Sequence, residues 1–172
     1  MNWDRYFHDL CNTVASKSPC LSRQIGALLV KDHSILSTGY NGPPRGVPHC
    51  GEDRLLHDKE LIKIFNEDTA PEVQRHLPSC PRKILGYASG THMELCPAQH
   101  AEENAVSNAA RSGVSVNGST LYMNSIIPCQ KCFGTLINAG VVEIVIERLD
   151  YYDKFTPFLL NNSNITVREF QL

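Results

Sequence analysis

The order of elements in this sequence predicts an α/β protein of three layers, with helices on both faces of a central mixed, mostly parallel sheet of about five strands. Three observations lead there. The stretch "QIGALLVKDHSILSTGY" holds two apolar, β-rich runs separated by Lys31-Asp32-His33-Ser34, the pattern of a hairpin. From Ala98 onward the chain alternates helix, strand, helix, strand, helix, strand, and such alternation implies βαβ crossovers between parallel neighbours. At 172 residues the chain suffices for one domain, which on surface-to-volume scaling buries about 70% of its unfolded surface.

In chain order, Trp3, Tyr6, Phe7, Leu10 and Val14 recur at helical spacing, so residues 2–16 form an amphipathic helix with Cys11 on its apolar stripe. After the hairpin, "NGPPRGVPHCG" is loop by its prolines and glycines. Leu55, Leu56, Leu61, Ile62 and Phe65 give residues 52–66 one helix. The following "EDTAPEVQRHLPSCPRKILGYASGTHMELCPA" shows no steady period; irregular chain of that length is functional or tied down by something other than a core. Residues 51–97 are therefore read as an insertion in a single domain spanning 1–172. Ala98 to Arg111 is helical and stops at Gly113. "STLYMN" is a strand, and "PCQKCFGTLINAG" opens with proline and closes with glycine, the asymmetry of a helix. "VVEIVIE" is a buried strand, Phe155 to Leu160 a short helix interrupted near Pro157, and "NITVREF" the last strand.

Composition excludes some functions. With 20% charged residues and a net charge of -2, the chain lacks the basic footprint of a surface that wraps a polyanion, so nucleic acid is not an expected partner. A small phosphorylated ligand needs only one or two local cations and remains compatible. "MNWDRYFHDL" has no apolar core of signal-peptide length, and no run approaches the ~20 apolar residues of a membrane span, so a cytoplasmic protein without a membrane partner is expected. In that reducing compartment the seven cysteines are buried apolar side chains or metal ligands rather than a disulfide framework.

Spacing decides between those two for some of them. His100 and Glu102 open one predicted helix; Cys129 and Cys132 open the next, three apart and so on one face. Two thiolates and one imidazole make a three-donor zinc site with an open fourth position, the arrangement of catalytic zinc. Helix amino termini favour the thiolate charge. Glu102 then stands near the metal without being needed as a ligand, where a proton carrier belongs. Alone, "CxxC" also suits a redox or structural zinc pair and "HAE" the start of a surface helix. Together and in this order, H-x-E and P-C-x-x-C form the pattern of zinc deaminases that attack C4 of cytosine or C6 of adenine.

"IGALLVKD", "STGYNGPPRG", "HAEENAV", "PCQKC" and "INAGVVEIVI" together resemble the deoxycytidylate deaminase family of the cytidine-deaminase superfamily, over most of residues 20–147. The "GYNG" loop is the element that most separates this family from nucleoside and transfer-RNA deaminases. The resemblance implies a cytidine-deaminase-like fold and hydrolysis of dCMP to dUMP and ammonia, in deoxynucleotide biosynthesis. Water activated by zinc attacks C4; Glu102 takes its proton, passes it to N3 and then protonates the leaving amino group. A backbone carbonyl between Ser125 and Ile127 receives the exocyclic amine, Asn41 holds the sugar 3'-hydroxyl, and Tyr152, or its neighbour Tyr151, lies over the base or near the phosphate. Asn41 before glycine is equally a turn residue, and Tyr152 equally a packed aromatic. Arg23 is the best-placed cation for the 5'-phosphate, and a solvated arginine otherwise.

The same resemblance implies a homo-oligomer, a hexamer, regulated allosterically by dCTP or dTTP, with Gly42 and Arg45 of "GYNGPPRG" near an effector site at a subunit boundary. Arg111 faces that effector or a subunit neighbour. With Cys11 in the core and Cys129 and Cys132 used, Cys20, Cys50, Cys80 and Cys96 remain, the number a closed structural zinc site needs. Cys20 and Cys50 fall where some phage relatives resemble a second-zinc pair. Cys80 and Cys96 bracket "CPRKILGYASGTHMELC", a segment poor in core that a metal folds. His49 or His92 can replace one cysteine, and four scattered thiols are the alternative. The rival functions are a polynucleotide base deaminase, a 5-substituted dCMP deaminase, and a catalytically silent zinc-binding regulatory protein.

Overall fold

The computed structural model describes residues 2–68, 80–88 and 90–172. In chain order its elements are α1 (Trp3–Ala15), β1 (Gly26–Lys31), β2 (Ser34–Tyr40), α2 (Glu52–His57), α3 (Lys59–Asp68), α4 (Pro81–Ile84), a 3-10 turn (Met93–Leu95), α5 (Ala101–Arg111), β3 (Thr120–Met123), α6 (Gln130–Asn138), β4 (Glu143–Ile146), α7 (Thr156–Asn161) and β5 (Thr166–Glu169). They fall into two compact units: residues 1–18, 25–41 and 100–172, and residues 19–24 and 42–99.

The first unit holds all five strands, in the order β2-β1-β3-β4-β5. β1 pairs antiparallel with β2 and β3, while β3, β4 and β5 run parallel. The sheet is therefore mixed, with its parallel pairings confined to the half that follows α5. Asp32 and His33 turn the hairpin with φ of 49° and 59°, the left-handed values that two-residue hairpin turns require. Strand periodicity sorts the core. Ala27, Leu29, Leu121, Met123, Ile144 and Ile146 point to one face, where Ala101, Ala105 and Ala109 of α5 and Phe133 and Leu136 of α6 cover them. Leu28, Val30, Tyr122 and Val145 point to the other, against Phe7 and Cys11 of α1. That alternation makes the three layers.

Two glycines let helices approach the sheet closely. A methyl group at Gly39 would collide with the Ala101 carbonyl and the Ala105 amide of α5, and one at Gly26 with the Cys11 carbonyl of α1. The far end of α1 is held by charge: Arg168 of β5 donates to both carboxylate oxygens of Asp4, at 2.6 and 3.0 Å, and through Nε to Glu143 of β4 at 2.9 Å. Pro157 sits in the first turn of α7, so it starts that helix rather than interrupting it.

In the second unit, residues 52–66 form not one helix but the end-to-end pair α2 and α3. Asp58 makes the break: its carboxylate accepts from the Leu61 amide at 2.9 Å, capping α3, and from Arg54 Nε at 2.8 Å. A local side-chain cap therefore overrides the helical period. Of the stretch expected to lack a period, residues 69–79 and 89 lie outside the described residues; the remainder carries the end of α3, then α4 and the 3-10 turn. Gly42 and Gln99 exchange backbone hydrogen bonds of 3.1 and 2.9 Å, closing the unit at the residue before His100. Among the described residues no helix is long and apolar enough to cross a membrane.

Candidate metal centre and active site

Chain direction brings two helix starts together. α6 leaves the carboxyl end of β3, and α5, which precedes β3 and packs on the same face, begins near that end. His100 is the N-cap of α5 and Cys129 the N-cap of α6. Cys132, one turn into α6, is 1% exposed. His100 Nδ1 lies 3.5 Å from Cys129 Sγ and 3.3 Å from Cys132 Sγ. Among the described residues this is the one group of three potential ligands whose donor atoms all lie within 4.8 Å of one another.

The donor set fits zinc. Zn–S and Zn–N bonds of about 2.3 and 2.0 Å in a tetrahedron give an N···S edge of about 3.5 Å, which the two sulfur-to-imidazole separations match. Hydrogen bonding and burial both bias the protonation of these groups. Hydrogen bonding from Cys132, opposed by burial and aided by His100, holds the Cys129 thiol down at about 4. Cys132, donating to Cys129 and buried, is raised. His100 is raised to about 9 by its bond to Cys129 and the nearby carboxylates, against burial. The hydrogen bonds thus favour the thiolate at Cys129, the form that binds zinc.

Glu102 is 4% exposed, and burial pushes its carboxyl up to about 6 despite His100. Glu103, which the sequence reading passed over, accepts from the His100 amide at 3.3 Å. The readable signal was a glutamate three residues after an N-cap. Three protein donors with an open fourth position, beside a buried carboxylate titrating near neutrality, define a metal centre that can activate water and move its proton.

The other candidates divide between the units. In the first unit, the Tyr152 ring stands 6.3 Å from the His100 imidazole, edge-on. Asn41 is buried; its Oδ1 accepts from the Ile25 amide and the Ser18 hydroxyl, each at 2.8 Å, so its carbonyl end serves the fold. Ser125 O accepts from the Glu147 amide at 2.9 Å, and the Ile127 side chain is core. Arg111 is exposed in the last turn of α5. In the second unit, Arg23 and Arg45 are exposed and Gly42 is buried. All four remaining cysteines are there too. Burial raises the Cys50 thiol, against Arg54, and Cys96 and Cys80 are near enough to raise it further. Cys20 Sγ accepts from the Arg23 amide, and His92 stacks on Tyr87 with Nδ1 bonded to Glu94. No three of these cysteines and histidines bring their ligand atoms within 4.8 Å.

Residues 1–148 match the family model of the cytidine and deoxycytidylate deaminase zinc-binding region. The deoxycytidylate deaminase of Enterobacteria phage T4 is 32% identical over 166 residues, covering 90% of this chain and 82% of the phage protein. That of Saccharomyces cerevisiae is 33% identical over 169 residues, 98% of this chain but 45% of the yeast protein, and the Schizosaccharomyces pombe enzyme is matched over 44% of its length. The chain thus spans about half the length of these two relatives. Among solved structures, dCMP deaminase from cyanophage S-TIM5 in complex with dCMP and dUMP aligns with a TM-score of 0.64 at 23% identity, covering 96% of this chain and 94% of that one. That likeness establishes the cytidine-deaminase-like fold. The chain belongs to the cytidine and deoxycytidylate deaminase zinc-binding family.

Proposed function

We propose that this protein is a zinc-dependent dCMP deaminase that hydrolyses dCMP to dUMP and ammonia. The observation that carries the reading is the His100, Cys129 and Cys132 cluster with Glu102 buried beside it, in a chain of this family. Bound zinc supplies a Lewis acid that brings the pKa of water near 7. The chain's own groups do the rest. Cys129, Cys132 and His100 hold the metal, and Glu103 keeps the His100 backbone in its N-cap geometry. Glu102, with a carboxyl near 6, is ionised at neutral pH yet a weak enough base to give its proton back. It would take one proton of the attacking water and deliver it to N3, then take the second from the new C4 hydroxyl and deliver it to the amine, which leaves as ammonia as the C4–N bond breaks and the C4 carbonyl forms. Tyr152 covers the base from the open side, a backbone carbonyl in Ser125 to Ile127 receives the exocyclic amine, Asn41 takes the sugar hydroxyl and Arg23 the phosphate.

The finer reading extends this. Residues 51–97 are an insertion in a single deaminase domain. A second, structural zinc binds among Cys20, Cys50, Cys80 and Cys96, supported by the nearness of Cys96 and Cys80 to Cys50, and needs their sulfurs to close up. The protein is a cytoplasmic hexamer in deoxynucleotide biosynthesis, with dCTP and dTTP acting through Gly42, Arg45 and Arg111. Deamination followed over cytidine, deoxycytidine, dCMP, dCTP and 5-substituted dCMP tests the substrate: turnover is highest with dCMP. Turnover of single-stranded polynucleotide without turnover of free dCMP overturns the reading.

A further inference from the structure

A carboxylate outside the metal cluster ties its helix to the loop that covers it. Asp153 Oδ2 accepts from the Gln130 amide at 2.7 Å, the first amide of α6 and the residue after Cys129. Its other oxygen accepts from the Phe155 and Thr156 amides, at 2.9 and 2.8 Å, at the start of α7. The fully buried Thr156 hydroxyl lies 3.0 Å from Oδ2 and 3.4 Å from the carbonyl of Pro128, just ahead of Cys129. Tyr152, edge-on to His100, immediately precedes Asp153 in the chain. Burial pushes the Asp153 carboxyl up, but the Gln130, Thr156 and Phe155 amides outweigh it and hold it below the usual range.

We infer that Asp153 is a positioning residue: its carboxylate sets the start of α6, and with it Cys129 and Cys132, in register with Tyr152 beside the metal centre. The chemistry calls for a carboxylate. The first turn of each helix leaves amides without intrahelical partners, and here two helix starts face one side chain. Only a group with two acceptor oxygens serves both, and its charge is favoured at helix amino termini. The Cys132 amide already bonds Cys129. With Asp153 on the Gln130 amide, the donors at the start of α6 are shared between thiolate and carboxylate, so that start is fixed from both sides.

The inference rests on the zinc reading, and zinc release tests it apart from turnover. Asp153→Asn keeps one acceptor oxygen, which can cap α7 but cannot also hold Gln130. Gln130→Pro cuts the same link from the other side: proline is tolerated at a first helical position, and Cys129 has the extended backbone it requires. Zinc transfer from the loaded protein to a chromogenic chelator, well below the unfolding midpoint, becomes about tenfold faster in each variant, in the range of lost outer-shell partners. The visible spectrum of the cobalt-substituted protein shifts, and the double variant releases metal no faster than the faster single one. Wild-type release rates and cobalt spectra in both variants, or effects that multiply in the double variant, overturn the inference. If Asp153→Asn does not fold, Gln130→Pro alone decides. A wild type that holds no zinc removes the metal reading and the inference with it; a zinc-loaded wild type with unaffected variants removes the inference alone.

Discussion

At the scale of the residue, what distinguishes Glu102 from the glutamate beside it is burial. Glu103 is half-buried and tied to the His100 amide, whereas Glu102 is enclosed and its carboxyl rises to about 6. A group in that state exchanges a proton with a reacting centre near neutral pH. Glu102→Gln keeps the shape and loses the proton, so it retains zinc and its unfolding midpoint while turnover falls about 10²–10⁴-fold; zinc content, thermal unfolding and a deamination assay read the three. Cys132→Ala differs in kind, because it removes a donor and with it both metal and activity. The metal cluster was legible in the sequence because its signals are local: a histidine two before a glutamate, and cysteines three apart at a helix start. Asp153 was not, because its partner Gln130 lies 23 positions away.

Between elements, close approach and charge do the positioning. α5 carries His100 and Glu102, and it lies against β2 because Gly39 has no side chain to hold it off. Asn104 and Asn108 of α5 then donate to the Tyr40 and Thr38 carbonyls of β2, each at 2.8 Å. Gly39→Ala forces backbone to move, at a cost of about 3 kcal/mol, and displaces the start of α5; urea unfolding reads the first and zinc content the second. The clamp of Asp4 on Arg168 gives a pH dependence. The paired bonds from Arg168 hold the Asp4 carboxyl below its unfolded value against its own burial, so the stabilisation is fully present above that unfolded value, about 3.9. It is lost as pH falls through the lower folded value. Because the Arg168 side chain is one-third exposed, Asp4→Asn costs only about 1–2 kcal/mol at neutral pH, and in denaturant titrations its stability converges with that of wild type as pH falls through the depressed folded value of Asp4.

For the whole molecule, the open question of composition is metal count. Freshly purified protein analysed for zinc is expected to hold close to two ions per chain, falling to near one in Cys80→Ser; one ion in the wild type leaves only the His100 centre. Light scattering and rate measurements with dCTP and dTTP check the hexamer and its regulation, which a monomer with unchanged kinetics removes. The sequence by itself determined which residues form helices and strands in the first unit, because apolar period, caps and turn glycines are local properties. It also determined which side chains could be metal donors. The tertiary structure decided what depends on distant partners. β1 lies between β2 and β3, antiparallel to both, so the one reversed strand of the mixed sheet is an inner one, while β2, β3, β4 and β5 run the same way. Asp58 breaks a helix that apolar spacing alone would continue. The Asn41 carbonyl turns inward to Ile25 and Ser18. In each case a hydrogen-bonding group took the partner that folding brought near, and sequence distance holds no record of that choice.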